Sequence, residues 1–175
     1  MKKLLIVPFL LLSIVQAKTF QCQVTEVIDG QTIACLTDQR KSVKVRLYQI
    51  EAPRRYQYGA EEAHNALLDM VYNQRVTVKV KNRYKQMITG VILADPYKCP
   101  EQNCDPEHPD CIEKTCYKDM NLLMVEQGYA WYRPASQEDL TYRQAEAKSR
   151  EAKRGIWATP SANKQPKPYH YFDVD

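Results

Sequence analysis

Two stretches of the sequence decide the fold: VIDGQT at residues 27–32 and VRLYQIEAPR at residues 45–54. The Asp29-Gly30 pair in the first stretch lies between two runs that are rich in β-branched residues. An Asp-Gly pair in that setting is the strongest short-range signal for a β-hairpin. We therefore predict a hairpin over residues 22–35, followed by a strand that enters the second stretch.

Periodic patterns outside the hairpin predict the other strands and helices. Apolar and polar residues alternate over residues 43–48, which places Arg46 on the face opposite the apolar side chains. Apolar residues recur with helical spacing between residues 63 and 71. The remaining predicted elements are strands at about 76–81 and 88–93 and helices at about 118–127 and 138–154. This order of elements predicts an α+β fold.

The N-terminus has the three parts of a secretory signal peptide. Lys2 and Lys3 precede an apolar run over residues 4–15, and small residues stand at the cleavage positions that end at Ala17. The run is shorter than a membrane span. We predict cleavage after Ala17, export to a periplasm or to the medium, and no membrane span in the mature chain. A buried N-terminal helix or a retained anchor is the alternative.

The mature chain is only weakly basic. The whole chain has 25 Lys and Arg against 21 Asp and Glu, and loss of Lys2 and Lys3 lowers its formal net charge from +4 to +2. Net charge this small gives no general attraction for polyanions. Binding of nucleic acid would therefore need a local basic patch.

All six cysteines follow the predicted signal peptide, and an even number in an exported chain predicts disulfides. Cys22 and Cys35 flank the hairpin turn and are predicted to link its two strands. The other four form a local cluster of Cys99, Cys104, Cys111 and Cys116. Two local disulfides are the preferred interpretation of this cluster, and a zinc site made by the four cysteines or with His108 is the alternative.

The two quoted stretches, with Y-G at residues 58–59 and G-I-W at residues 155–157, resemble the staphylococcal nuclease (thermonuclease) family. The family patterns are roughly V-x-D-G-D-T, R-L-x-x-[IV]-D-x-P-E, Y-G and G-[IL]-W, in the same order. The resemblance covers about residues 22–157. It implies a five-stranded OB-fold barrel with three helices, and a calcium-dependent endonuclease as the family activity.

The resemblance also implies roles for individual residues. In the family two Asp residues hold Ca²⁺, a Glu handles the attacking water and two Arg residues grip the phosphate, which meets the needs of phosphodiester hydrolysis. Arg46 matches the first phosphate-binding Arg, and Glu51 matches one of the Asp ligands. Asp29 matches a supporting Asp near the metal. Arg83 and Tyr84 match residues that contact a terminal phosphate of the nucleotide.

Three positions depart from the family pattern. Gln31 replaces the other Asp ligand, Arg54 replaces the catalytic Glu, and Gln86 replaces the second phosphate-binding Arg. Gln offers only a neutral oxygen, and Arg cannot act as a base at ordinary pH. The substitutions change the sum of charges at the site from −1 in the family to +1 here. This change weakens a Ca²⁺ site and favours a phosphate anion.

Three other acids are candidates to replace the lost carboxylates: Asp38, Glu61 and Glu62. The two glutamates stand at the start of the first predicted helix. Acidic residues are favoured there by the helix dipole, which explains the pair without a catalytic role.

Two segments extend or interrupt the predicted domain of residues 18–157. Residues 96–117 replace a short turn of the family, and the part between Cys99 and Cys116 has a net charge of −4. Such an acidic loop repels nucleic acid and suits a protein partner better. Residues 158–175 are rich in proline and polar residues and are predicted to form a loose tail.

Three functional hypotheses follow. The first is a domain that has lost hydrolysis and binds nucleic acid or a nucleotide, without Ca²⁺, through Arg46, Arg54, Arg55, Arg83 and Tyr84. The second is an active secreted nuclease with a rearranged site that cleaves DNA or RNA. The third is a protein-interaction module that uses the Cys99–Cys116 loop. We expect a monomer that needs no cofactor, with Ca²⁺ as the cofactor if the family site survives.

Overall fold

The computed structural model describes residues 19–98, 111–112 and 115–159. The predicted signal peptide at 1–17, most of the cysteine cluster and the tail from residue 160 onward lie outside the described residues. The strands are Thr19–Asp29 (β1), Thr32–Thr37 (β2), Ser42–Leu47 (β3), Ile50–Glu51 (β4), Arg75–Tyr84 (β5), Met87–Lys98 (β6), Cys111–Ile112 (β7), Thr115–Asp119 (β8) and Trp131–Tyr132 (β9). The helices are Ala60–Val71 (α1), Met120–Glu126 (α2) and Leu140–Glu151 (α3), and a 3₁₀ turn follows at Gly155–Trp157.

Five strands close into a barrel. β1 pairs antiparallel with β2 and β5, β2 pairs with β3, and β5 pairs with β6. The barrel closes where residues 44–47 of β3 run parallel to residues 87–90 of β6. Three helices pack around this barrel, so the prediction of an α+β fold with a five-stranded OB-fold barrel and three helices is confirmed.

The hairpin turn between β1 and β2 packs tightly against its neighbours. A Cβ atom at Gly30 would lie 2.6 Å from the Cβ of Ala63 on α1 and 3.0 Å from the Cβ of Ala52. Glycine is therefore required by close approach, since any side chain would push α1 and the end of β4 away. The backbone N–H of Gln31 donates to Oδ1 of Asp29 at 2.9 Å, which stabilises the turn locally.

The core fills the barrel and the space beneath the helices. Ala63, Leu67 and Val71 of α1 are fully buried, at the helical spacing that the sequence predicts. They pack with the inward residues of the strands, among them Val24, Ile33, Val45, Leu47, Val78 and Ile92. Burial of this apolar surface is the main stabilising term for the fold.

A buried amide joins α2 to the barrel seam, which is the place where β3 pairs with β6. Asn121 is fully buried, and its Nδ2 donates to the carbonyl oxygens of Tyr48 at 3.0 Å and Gly90 at 3.1 Å. Its Oδ1 accepts from the backbone N–H of Ile92 at 3.1 Å. The side chain thus forms hydrogen bonds with backbone groups on β6 and in the β3–β4 turn, and ties the two together.

Two helices begin later than the sequence patterns indicate. Lys118 and Asp119 belong to β8 and pair with β6, and Asp119 caps α2 by accepting from the backbone N–H of Leu122 at 3.1 Å. Asp139 caps α3 in the same way, accepting from the N–H of Thr141 at 3.0 Å. In both cases an Asp side-chain oxygen accepts from an N–H group in the first turn of the helix. Each helix therefore starts one residue after its Asp.

Cysteine pairing agrees with the hairpin prediction. Cys22 and Cys35 form a disulfide across the β1–β2 hairpin, and both are fully buried. Cys116 is also disulfide-bonded, which removes its thiolate from the alternative zinc site. Cys99 and Cys104 lie outside the described residues, as does most of the loop proposed for a protein partner. No helix in the described ranges has the length and hydropathy needed to cross a bilayer.

Replacing both hairpin cysteines by alanine should lower the free energy of unfolding by about 3 kcal/mol. The bond closes a segment with a sequence separation of 13 residues, and its loss gives the unfolded chain more conformational freedom. Guanidinium denaturation of the native chain and of the Cys22→Ala, Cys35→Ala variant measures the difference. Treating the double variant with a reductant reports the combined contribution of the remaining disulfides, the Cys116 bond included. A difference below about 1 kcal/mol would contradict a stabilising role for the hairpin disulfide.

Candidate functional site

The candidate site lies where β3, β4 and the loop before α1 meet. Arg46 projects from β3 on the face opposite the buried Val45 and Leu47, as predicted. Glu51 belongs to β4, and its backbone pairs with Trp131 of β9. This short sheet holds the carboxylate beside the barrel seam, so the site is built on strands rather than on a free loop.

Glu51 is held between two arginines. Nη2 of Arg46 lies 2.9 Å from Oε2 of Glu51, and Nη2 of Arg54 lies 3.3 Å from Oε1 of the same carboxylate. The Glu51 side chain is 7% exposed, whereas Arg46 and Arg54 are 20% and 37% exposed. Both carboxylate oxygens therefore accept from guanidinium groups, and the three side chains carry one excess positive charge.

Gln31 forms hydrogen bonds that connect the elements around the site. The residue is buried, and its Oε1 accepts from the backbone N–H of Ala52 at 2.9 Å. Its own carbonyl oxygen accepts from the N–H of Leu47 at 2.8 Å. The β1–β2 turn is thereby tied to β3 and to the residue that follows Glu51.

These residues do not fit the calcium ion that the family resemblance implies. Ca²⁺ takes six to eight oxygen ligands, several of them carboxylates. Here the Glu51 oxygens face arginines, the Gln31 oxygen accepts from the backbone, and Asp29 accepts from the N–H of Gln31. Within the part of the chain that the structure describes, no three His, Cys, Asp or Glu side chains come together as a metal site.

The three alternative acids lie in other places. Asp38 forms an ion pair with Arg75 at 2.7 Å, and both side chains are more than half exposed. Glu61 and Glu62 are exposed in the first turn of α1, where the helix dipole favours them. Glu62 lines a small pocket with Tyr58 and the 3₁₀ turn rather than facing Glu51.

The predicted phosphate-binding residues separate onto two faces of the sheet. Tyr84 pairs with Met87, and Met87 pairs with Lys44 across the barrel seam. Paired residues point to the same face, and Lys44 precedes Arg46 by two, so these side chains share the outer face. We call this surface, Lys44, Arg46, Tyr84 and Met87, the outer basic face.

Arg83 points the other way. It pairs with the buried Ile88, so its side chain lies on the inner side of the sheet, at the end of the barrel. Gln86 is exposed in the turn between β5 and β6. The structure therefore brings together Arg46, Glu51 and Arg54, but not Arg83.

Cations stack on tyrosines near this surface. Lys85 lies 5.3 Å from the ring centre of Tyr84, and Lys81 lies 5.7 Å from that of Tyr48. Burial raises the pKa of Tyr48, and the neighbouring Tyr132 raises it further, so the ring stays neutral at physiological pH. Sequence reasoning missed Lys44, Lys81 and Tyr48 as site neighbours, although the alternation of lysines on β5 was a signal for a basic face.

One family model and several curated proteins are similar to this chain. The family model described as staphylococcal nuclease homologue matches residues 44–159. An uncharacterized endonuclease of Haemophilus influenzae is 32% identical over 156 residues, which cover 88% of this chain and 75% of that protein. A micrococcal nuclease of Shigella flexneri is 30% identical, with 87% and 82% covered. Protein ParB of Escherichia coli is 32% identical over 144 residues, with 80% and 73% covered.

Glu51→Gln should destabilise the protein by about 2 kcal/mol, because Arg46 and Arg54 then face each other without an anion. Urea denaturation at low ionic strength measures the loss. Sodium phosphate should recover more of this stability than sodium chloride at equal ionic strength, since phosphate can take the place of the carboxylate. Glu62→Gln, an exposed change outside the network, is the control and should alter stability by less than about 0.5 kcal/mol. Equal effects of the two variants would argue against the three-residue network.

Proposed function

This chain belongs to the staphylococcal nuclease family, and from that premise we propose that it is a pseudoenzyme that binds the phosphates of nucleic acid or nucleotides without calcium-dependent hydrolysis. The observation that carries the proposal is the contact of both Glu51 oxygens with arginines. A carboxylate engaged in this way is a poor metal ligand. The same two guanidinium groups are good ligands for a phosphate.

Electrostatics favour an anion over a divalent cation at this position. Two unit charges 4 Å apart interact by about 4 kcal/mol at an effective dielectric constant of 20. The excess positive charge of the Arg46, Glu51 and Arg54 group therefore opposes Ca²⁺ and attracts phosphate. Arg46 and Arg54 are both partly exposed, so a phosphate group can reach them from solvent.

The position of the family's catalytic Glu also offers no base to activate water. The side chain in the family's catalytic Glu position is Arg54, which remains protonated at any ordinary pH. A base must lie within hydrogen-bonding distance of the water that it activates. Both Glu51 oxygens instead accept from guanidinium groups at 2.9 and 3.3 Å. We therefore propose that the ancestral hydrolytic site is now a binding site.

The outer basic face supplies a path for a single strand beside this phosphate site. Lys44 and Arg46 lie two residues apart on β3, and Tyr84 lies across Met87 from Lys44. Tyr84 is 47% exposed and offers a ring on which a base can stack. Cations that track the backbone, with aromatic rings between them, are typical of proteins that bind single strands without strong sequence preference.

Export belongs to the same proposal. We propose a signal peptide at 1–17, a mature nuclease-like domain at 18–157 with its insert at 96–117, and a monomeric mature chain. The buried hairpin disulfide supports an oxidising compartment, either a periplasm or the medium. The tail at 158–175 has no assigned role.

A second candidate is a secreted nuclease that hydrolyses DNA or RNA with a rearranged site. The observation that favours it is the 30% identity to a protein named micrococcal nuclease, over 87% of this chain. In this case Ca²⁺ binding would have to displace the arginines from Glu51. The two candidates differ in one measurable property. The nuclease requires Ca²⁺ for hydrolysis, whereas the phosphate-binding protein binds without Ca²⁺.

Binding of a fluorescein-labelled oligothymidine should be independent of metal. Fluorescence anisotropy with the oxidised mature chain should give the same Kd in Ca²⁺ and in chelator. Arg46→Gln and Arg54→Gln should each weaken binding by about tenfold, since each removes a charge-assisted contact worth roughly 1.5 kcal/mol. Arg143→Gln, which changes an exposed arginine of α3 that pairs with Glu138, is the control. Loss of binding in chelator would contradict the proposal.

The native chain should not cleave single-stranded DNA or RNA with Ca²⁺, and restoring the family residues should create cleavage. The variant combines Gln31→Asp, Arg54→Glu and Gln86→Arg, with and without Glu51→Asp, which shortens the remaining ligand. Gel assays with Ca²⁺ and with chelator measure both chains. Metal-dependent cleavage by the native chain would instead establish the nuclease candidate, and Arg46→Ala would then abolish it.

A further inference from the structure

A cavity of about 440 Å³ opens at the end of the barrel, on the inner side of the sheet. Its walls come from the start of β1, the β2–β3 turn, the start of β3 and the β5–β6 hairpin. This volume lies within the range of sites that enclose small organic molecules. The proposed phosphate site consists of Arg46, Glu51 and Arg54, and none of these residues lines the cavity. The cavity therefore needs its own explanation.

One part of the wall is apolar. Phe20, Val43 and Ile88 line the cavity and belong to three different strands of the barrel. Ile88 is 3% exposed, and Phe20 and Val43 are partly buried and pack against the core. A ligand with an apolar body would remove this surface from water, which is favourable.

The polar part of the wall is positively charged. Arg83 and Lys41 line the cavity, and neither has an ion-pair partner among the residues that the structure describes. Asp38 also lines it, but its carboxylate is held by Arg75 at 2.7 Å, and the same arginine binds Oε1 of Gln21 at 3.1 Å. The acid is thus neutralised, and two positive charges remain without compensation.

We propose that this cavity is a second ligand site, which binds a small organic anion that carries a carboxylate or a phosphate monoester on an apolar body. The apolar body lies against Phe20, Val43 and Ile88. The anionic group pairs with Arg83 and Lys41. The fork of Arg83 suits two oxygens of either group, because both carboxylate and phosphate can accept two parallel N–H bonds from a guanidinium group.

This site is separate from the proposed phosphate site. Arg83 and Arg46 lie on opposite faces of the sheet, because Arg83 pairs with the buried Ile88 and Arg46 pairs with Thr89. Substitutions at Arg46 should therefore leave this binding unchanged. Failure of oligonucleotide binding would not affect this inference, and its own failure would leave the proposed function intact.

Titration calorimetry tests the inference with four probes. It uses the oxidised mature chain carrying Arg46→Gln and Arg54→Gln, because the proposed phosphate site of the native chain would also bind the two phosphate probes. Thymidine 5′-monophosphate and octanoate carry the two kinds of anionic group on different bodies. Inorganic phosphate is the head group alone, and thymidine is a neutral body. We expect at least one of the two organic anions to bind with a Kd below about 1 mM. If thymidine 5′-monophosphate binds, inorganic phosphate and thymidine should each bind at least about tenfold more weakly than the monophosphate does.

Two variants and a matched control locate the binding. Arg83→Gln and Lys41→Gln should each weaken it by about tenfold or more. Lys41 is exposed in a turn, so its variant should fold even if the other does not. Arg40→Asn is the control on the same turn, because Arg40 does not line the cavity and its φ of +56° suits asparagine.

Amide shifts in ¹⁵N NMR spectra give an independent position for the ligand. Shifts at Phe20, Val43 and Ile88 support the inference, and binding by the monophosphate, by octanoate or by both shows which of these anions the cavity accepts. The inference is overturned if neither organic anion binds in this range. It is also overturned if the Arg83 and Lys41 variants bind as the native chain does, or if the shifts cluster at Arg46 and Glu51.

Discussion

The buried charge of Glu51 is the constraint on which the site depends. A carboxylate removed from water must be compensated by nearby positive charge and hydrogen bonds, or it destabilises the fold. Arg46 from β3 and Arg54 from the loop before α1 supply that compensation at 2.9 and 3.3 Å. The pairing also engages the one carboxylate that the family resemblance assigns to direct metal binding.

Gln31 and Asn121 form hydrogen bonds with buried backbone groups, as the arginines do with the buried carboxylate of Glu51. The amide of Gln31 connects the first hairpin turn to Ala52, and the amide of Asn121 connects α2 to the barrel seam at Tyr48 and Gly90. Each satisfies buried backbone groups between elements that are distant in sequence. The barrel seam, β4 and the first hairpin are thus held in one arrangement, and the outer basic face is positioned by it.

Under the proposed function, small chemical changes at two positions convert a metal site into an anion site. At position 31 an amide stands where the family has an acid, and its oxygen accepts from the backbone. At position 54 the charge is reversed, so a group that would face a cation instead pairs with the remaining acid. Both residues are compatible with the fold, because Arg54 is partly exposed and the oxygen of the buried Gln31 side chain has a hydrogen-bond donor. Fold and chemistry can therefore diverge independently.

The sequence by itself determined the features that depend on neighbouring residues. The Asp29-Gly30 turn, the alternation that turns Arg46 outward and the apolar spacing of α1 are local patterns, and the motif order added the barrel topology. Only the tertiary structure decided that Tyr84, and not Arg83, shares the outer face with Arg46, and that the Gln31 oxygen meets an N–H group 21 positions away. It also decided that both Glu51 oxygens meet arginines. These outcomes depend on strand register and on contacts between distant segments, and no local pattern in the chain encodes them.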